Sequence, residues 1–226
     1  MFQHQVVSNR ILNNKFNLLT FRCKAKNWNF KIGQFVLIQV GKNITRAYSI
    51  ASLPDKLPLW QIFVDITPQG PGTTYLKALK ARDIILTSDA TGQFILSEKG
   101  NQYLFAATGC GIAPFIPMVK SCLNNNKKVH LFWGLRRISE IALRDAIAGW
   151  SKNNNFSYDI ILSQPESVWK GKTGHIQQFI PAKIKSLGLN NLKVYLSGSR
   201  DFIKQTSIIL KAGNIPTKKI YFEACY

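Results

Sequence analysis

Several things are missing from this chain. No stretch approaches the ~18 consecutive apolar residues that a bilayer span requires. Residues 1–10 are polar and mixed, with no apolar core of a secretory signal. The expectation is a cytoplasmic protein without a membrane span. None of the four cysteines, Cys23, Cys110, Cys122 and Cys225, belongs to a CxxC pair. Zinc and iron–sulfur sites need closely spaced thiolates, so no metal site is expected. Scattered cysteines in a cytosolic chain are ordinarily reduced thiols. No internal repeat is present, and the short Asn clusters at 124–126 and 153–155 read as loops. Acids are scarce: 11 Asp and Glu stand against 30 Lys and Arg, for a formal net charge of +19.

That charge has two readings. One is a solvated surface produced by lysine-rich composition, since Lys outnumbers Arg 22 to 8. The other is attraction to an acidic partner, such as nucleic acid or an acidic redox protein. The basic residues are spread along the chain and form no block, so no nucleic-acid partner is expected.

What is present is globular composition, 46% apolar and 18% charged over 226 residues. The length suits one large domain or two of roughly 100–125 residues. Short strand-like runs at 6–7, 16–22, 34–40, 47–51, 60–66 and 84–87 are separated by Gly- and Pro-containing turns. They predict an antiparallel barrel or sandwich with one helix near 73–80. From about residue 100 the pattern changes to alternation. Strands are expected at 103–107, 128–134, 158–163, 194–197 and 220–222, with helices near 113–123, 140–150 and 201–212. Such alternation implies an open parallel sheet with right-handed crossovers.

Four segments carry chemistry. In RAYS, 46–49, Arg46 and Tyr48 are two residues apart on a strand and share a face, so both address one ligand. Arginine grips phosphate through its guanidinium fork, and Ser49 adds a hydroxyl. Gly70-Pro71-Gly72-Thr73-Thr74 precedes a helix, whose N-terminus offers free N–H groups, with a threonine as the expected N-cap. Thr108-Gly109-Cys110-Gly111-Ile112-Ala113-Pro114 joins a strand to a helix, with Pro114 suited to the first helical turn. Leu196-Ser197-Gly198-Ser199 is a second such turn at the same sheet edge. Each alone also fits an ordinary turn, strand or cap.

In this order and spacing, end to end, the segments resemble the ferredoxin–NADP reductase superfamily. RAYS matches its flavin motif, GPGTTYL at 70–76 its phosphate loop, and GCGIAPF at 109–115 and SGSRDF at 197–202 its nicotinamide-side motifs. FEACY at 222–226 ends in an aromatic residue, as many of its reductases do. The resemblance implies an N-terminal antiparallel β-barrel that binds FAD, 1–97, and a C-terminal Rossmann-like parallel-sheet domain that binds NAD(P), 98–226. It implies that Arg46, with Ala47 beside it, holds the FAD pyrophosphate together with Gly70, Gly72, Thr73 and Thr74. Tyr48 would pack on the isoalloxazine, Ser49 would hydrogen-bond near flavin N5, and Thr108 would lie close to flavin and nicotinamide. Tyr226 would stack on the other flavin face. Gly109, Cys110, Gly111, Ser197 and Gly198 would receive NAD(P), with Arg136, Arg137 and Ser163 toward its 2′-phosphate end. Ser49, Ser197 and Tyr226 would be the catalytic set.

Ser197 stands where the family often has cysteine, and Cys110 occupies a family threonine position. The implied reaction takes hydride from NADPH or NADH to flavin N5 and passes electrons singly to an acidic carrier, ferredoxin or flavodoxin. The chain is expected to act as a monomer. FWGLRR at 132–137 and the SQPESVWKGKTGHI run at 163–176 are similar to NAD(P)H:flavin reductases and to NADH-accepting members. Oxygenase reductase components and a non-enzymatic basic binding or regulatory protein are the remaining readings.

Overall fold

The computed structural model describes residues 1–225, and Tyr226 lies outside the described residues. The chain divides into two compact units: Met1–Leu96 with Ala113–Met118, and Ser97–Ile112 with the chain from Val119 onward.

The first unit is built on six antiparallel strands: β1 (Phe2–Ile11), β2 (Phe16–Cys23), β3 (Phe35–Gly41), β4 (Ile44–Ser49), β5 (Leu59–Asp65) and β6 (Ile84–Thr87). Their order is β4-β3-β6-β1-β2-β5, and a bridge between Ile50 and Ile62 brings the two ends of the sheet together. The result is the nearly closed barrel expected from the short, turn-punctuated runs. Helix α1 (Pro71–Ala78) follows β5. Strand β1 is much longer than its two-residue signal. Its polar residues alternate only until a bulge between Val6 and Ser8 breaks the register with β2. His4 and Val6 turn inward, and most of the rest stays partly or fully exposed.

The barrel core centres on aromatics. Trp60 and Phe21 are fully enclosed and pack at 4.6 Å, and His4 lies edge-on between Trp28 and Trp60. Complete burial of such a side chain contributes roughly 1.5–3 kcal/mol. Trp60 Nε1 donates to His4 Nδ1 at 3.0 Å, which leaves the imidazole proton on Nε2, facing Thr87 Oγ1 at 2.9 Å. Thr87 Oγ1 donates its own hydrogen bond to Ser88 O at 2.8 Å. A buried chain of donors is thereby completely satisfied.

The second unit holds six parallel strands in the order β10-β9-β8-β7-β11-β12. They are β7 (Gln102–Thr108), β8 (Lys128–Leu135), β9 (Phe156–Leu162), β10 (Lys172–Thr173), β11 (Leu192–Gly198) and β12 (Ile220–Ala224). Helix α2 (Phe115–Asn124) crosses the division, its residues 115–118 belonging to the first unit, and the second unit also holds α3 (Arg144–Trp150), α4 (Ile180–Leu187) and α5 (Arg200–Ala212). Tyr103 to Ala107 are all buried, as a strand covered on both faces requires. Two elements carry no expectation from the sequence, β10 and α4. Two residues are too short to show a period. Helix α4 lies in lysine-bearing IPAKIKSL, where Ile180 and Ile184 are the buried pair and Gly188, at φ 71°, closes the C-terminus. Helix α3 is shorter than expected, because residues 138–140 form a separate 3₁₀ turn. Pro114 is not inside the first helical turn. A 3₁₀ turn occupies Gly109–Ile112 and α2 begins at Phe115.

Burial drives the His4 imidazole down to about 4. His130, on β8, is driven to about 3 by burial and by the nearby Lys183 ammonium, against the opposing pull of Asp159. A histidine that is neutral when folded takes up its proton on unfolding once the pH falls below about 6.5. The stability from both groups is therefore complete above that pH and is lost progressively as pH falls toward their folded values. The urea unfolding midpoint should fall between about pH 6.5 and 5, where most carboxylates remain ionised. The fall should be shallower in a His4→Gln chain. A flat profile in the parent protein would contradict buried neutral imidazoles.

Candidate functional site

In the first unit, three expected residues meet one turn. Strand β4 pairs with β3 on one side, placing Arg46 opposite Ile38 and Tyr48 opposite Val36. Arg46 and Ala47 are exposed, while Tyr48 and Ser49 are half-buried. The start of α1 packs against this face. A methyl group on Gly72 would overlap the Tyr48 hydroxyl oxygen and press on Arg46 Cγ at 3.1 Å. The absent side chain is what lets the arginine stem, the tyrosine hydroxyl and the helix backbone converge.

The helix start differs from expectation. Its N-cap is Gly70, not a threonine, and no side chain caps it. Pro71 has no N–H to leave unpaired. Thr74 is not available either, because its N–H already donates to Gly70 O at 3.0 Å. The amides left at the positive end of the helix dipole are those of Gly72 and Thr73. Arg46 leaves most of its guanidinium to solvent, with Nη1 donating to Thr45 O at 2.8 Å. A flexible cation and two backbone donors beside a phenol ring fit a ligand that joins an anionic linker to an aromatic group.

In the second unit, the carboxyl ends of β7 and β11 are in contact. These adjacent strands are where the order of the sheet reverses, since the chain goes from β7 to β8 on one side and later returns to β11 on the other. A methyl on Gly111 would overlap Ser197 O, and one on Gly198 would overlap Thr108 Oγ1. Gly109 has φ 54°, a conformation that favours glycine, and faces open space. Trp133 Nε1 donates to Gly109 O at 2.9 Å and anchors the turn. Thr108, Gly109 and Cys110 are half-buried and line the opening.

Ser197 does not present its hydroxyl there. It is fully buried, and its Oγ lies 3.5 Å from Cys225 Sγ. Ser197, expected in the catalytic and NAD(P)-binding sets, thus has its hydroxyl beside Cys225 in the interior. Burial, with the nearby Cys110 adding to it, pushes the Cys225 thiol up to about 12, so it stays protonated at neutral pH.

Arg136, Arg137 and Ser163 come together at the ends of β8 and β9. Ser163 N donates to Leu135 O at 3.0 Å, and Gln164 N to Arg136 O at 2.9 Å. Two carboxylates that the sequence did not single out organise this loop. Glu140 accepts the Arg136 N–H at 2.9 Å, and Glu166 accepts that of Ile138 at 3.1 Å. The second bond holds the Glu166 carboxyl below its ordinary range. Both arginine side chains are left exposed. An acid within a few residues of a strand end was the available signal.

Comparison with known proteins agrees with this geometry. The oxidoreductase FAD-binding domain family matches residues 3–95, and the oxidoreductase NAD-binding domain family matches residues 105–207. Ferredoxin–NADP reductase B of Sorangium cellulosum is 30% identical over 195 residues, 82% of this chain and 80% of that protein. The toluate 1,2-dioxygenase electron transfer component of Pseudomonas putida is 28% identical over 199 residues. The match covers 86% of this chain but only 58% of that longer protein. In fold, the chain is similar to a ferredoxin NADP⁺ reductase from Neisseria gonorrhoeae solved with FAD and NADP. The TM-score is 0.86 at 19% identity, over 99% of this chain and 98% of that one. The protein is therefore an FAD-dependent oxidoreductase that uses a nicotinamide coenzyme. It belongs to the ferredoxin–NADP reductase superfamily.

Gly72→Ala should weaken FAD binding by roughly tenfold or more, read by flavin fluorescence on dilution, with the circular dichroism spectrum unchanged. Gly198→Ala should leave FAD content intact and slow flavin bleaching by NAD(P)H. Normal FAD retention by Gly72→Ala would remove the cradle at α1.

Proposed function

We propose that residues 1–97 hold FAD, that 98–226 hold NAD(P)H, and that the protein passes electrons to an acidic one-electron carrier of the ferredoxin or flavodoxin class. The observation that carries the reading is the convergence of Arg46, Tyr48 and the Gly72–Thr73 amides on one patch of the barrel. In this reading Arg46 and the two amides hold the FAD pyrophosphate. Tyr48 packs against the ring system, with Ser49 at its polar edge. Thr108, Gly109 and Cys110 receive the nicotinamide, and Gly111 and Gly198 keep their turns clear of side chains. Arg136 and Arg137 meet the 2′ end of the coenzyme, on a loop braced by Glu140 and Glu166. Bound FAD supplies the conversion of a two-electron hydride donor into single electrons, and the protein supplies binding, orientation and electrostatics. Tyr226 keeps its proposed place over the flavin, outside the described residues.

An acidic carrier is supported by the net charge of +19 and by the name of the Sorangium relative. The same charge opposes self-association and supports a monomer. Among the described residues no helix is long and apolar enough to cross a membrane, and we place the protein in the cytoplasm. A second reading, reductase component of an oxygenase, is favoured by the toluate dioxygenase relative, whose match covers nearly all of this chain.

The test is an anaerobic titration of the yellow protein with NADPH and then NADH, followed by assays with ferredoxin, flavodoxin and free flavin. Bleaching by a coenzyme and turnover with a protein carrier are expected. A protein that is colourless even after incubation with FAD, yet reduces free flavin, would replace this function with that of a flavin reductase.

A further inference from the structure

A groove lies between α5 and β12 in the second unit, and only its Arg200 and Ala224 end is next to the Gly198 turn. It encloses about 340 Å³. One wall is a stripe of α5 residues that includes Arg200, Lys204 and Lys211; the other is one face of β12, formed by Ile220, Phe222 and Ala224. Phe222 is 61% exposed, a large apolar side chain left in water on a sheet edge. The other face of β12 is used internally, where Tyr221 stacks on Tyr195 at 4.5 Å.

Among the described residues strand β12 is the last in its sheet and pairs with β11 alone. Half of its backbone donors and acceptors therefore point outward. Lys204 and Lys211 are exposed, and neither forms an ion pair among the described residues. The acid of α5, Asp201, does not line the groove. An exposed edge strand is ordinarily blunted by a bulge, a proline or a charge; no bulge or proline interrupts Ile220–Ala224, and its one charged residue, Glu223, alternates with the groove-lining residues and so lies on the Tyr221 face.

We propose that this groove binds an extended acidic segment of a partner protein, added as a strand to the free edge of β12. Lys204 and Lys211 are seven residues apart on α5, about 10.5 Å along its axis. Alternate residues on a strand are about 6.6 Å apart. Carboxylates at every second position of an added strand therefore offer one to each lysine, whose long stems span the remaining few ångströms, and main-chain bonds to β12 supply affinity. An apolar residue in the same segment covers Phe222. A second copy of this chain is a poor occupant, since it would bring another +19 charge to the same surface. The inference does not rest on the flavin chemistry.

The probe is a fluorescein-labelled peptide of about ten residues, alternating Glu and Val, followed by anisotropy against the holoprotein at about 0.15 M salt. Saturable binding is expected. It should weaken by roughly tenfold or more in the Lys204→Glu, Lys211→Glu double variant, and by a similar factor when alternate peptide nitrogens are methylated and cannot join the ladder. Phe222→Ala should weaken it by about threefold. Flavin content and bleaching by NAD(P)H should be unchanged in both variant proteins. The proposal is overturned if the double variant binds as well as the parent, because the peptide then sits elsewhere on the basic surface. Equal binding of the methylated peptide also overturns it, since attraction is then by charge alone. Anionic phospholipid vesicles captured through Lys204 and Lys211, or a dimer lost in Phe222→Ala, overturn it if the peptide does not bind.

Discussion

Where β7 and β11 end, two turns pack so closely that neither has room for a Cβ at its glycine. Gly111 lies against the Ser197 carbonyl and Gly198 against the Thr108 hydroxyl, so each turn occupies the space that the other's side chain would need. Neighbouring features depend on that contact. It leaves Gly109 facing open space, encloses Ser197, and sets Cys225 beside it, where Cys225 N donates to Gly198 O at 2.8 Å. The barrel uses the same device at Gly72. In each unit the backbone at the candidate site is shaped by a missing atom, which no rotamer change elsewhere can replace.

Much of this was legible in the sequence, because glycine, arginine and proline act locally. The two glycine turns were visible as breaks between an apolar run and a helical period. The shared face of Arg46 and Tyr48 follows from strand geometry alone. What was not legible depends on contacts distant in the chain. The length of β1 comes from pairing with β2 and β6, not from its own alternation. The true N-cap of α1 is Gly70, although two threonines three and four residues later are better cappers by type. The burial of Ser197 beside Cys225, 28 residues away, is a contact that no local pattern reveals. Helix α4 has its stop signal in Gly188, but a lysine-rich helix with two buried isoleucines does not separate itself from a loop.

The buried imidazoles also divide into two kinds. His4 is part of a satisfied donor chain between Trp60 and Thr87, and its role is to complete the barrel core. His130 sits between the Ser157 hydroxyl at 2.8 Å and Asp159, whose carboxylate also takes Lys172 at 2.9 Å. Asp159 thus serves a cation at the edge and a neutral ring inside. This is how a chain so short of acid accommodates lysines close to its sheet.

That economy of carboxylates reaches beyond the fold. Glu140 and Glu166 brace one loop, Asp83 caps Lys80 N at 2.8 Å, Asp65 holds the Thr67 turn, and Asp159 is engaged at the sheet edge. Acids tied to local tasks are poorly placed to cancel lysines elsewhere. The acids keep their charge, so an approaching molecule meets the field of the net +19, extending about one Debye length, ~8 Å at physiological ionic strength. Encounter with any anionic partner becomes a property that the surrounding electrolyte tunes: fast and weakly selective in dilute salt, slower and governed by surface shape as the ions close in.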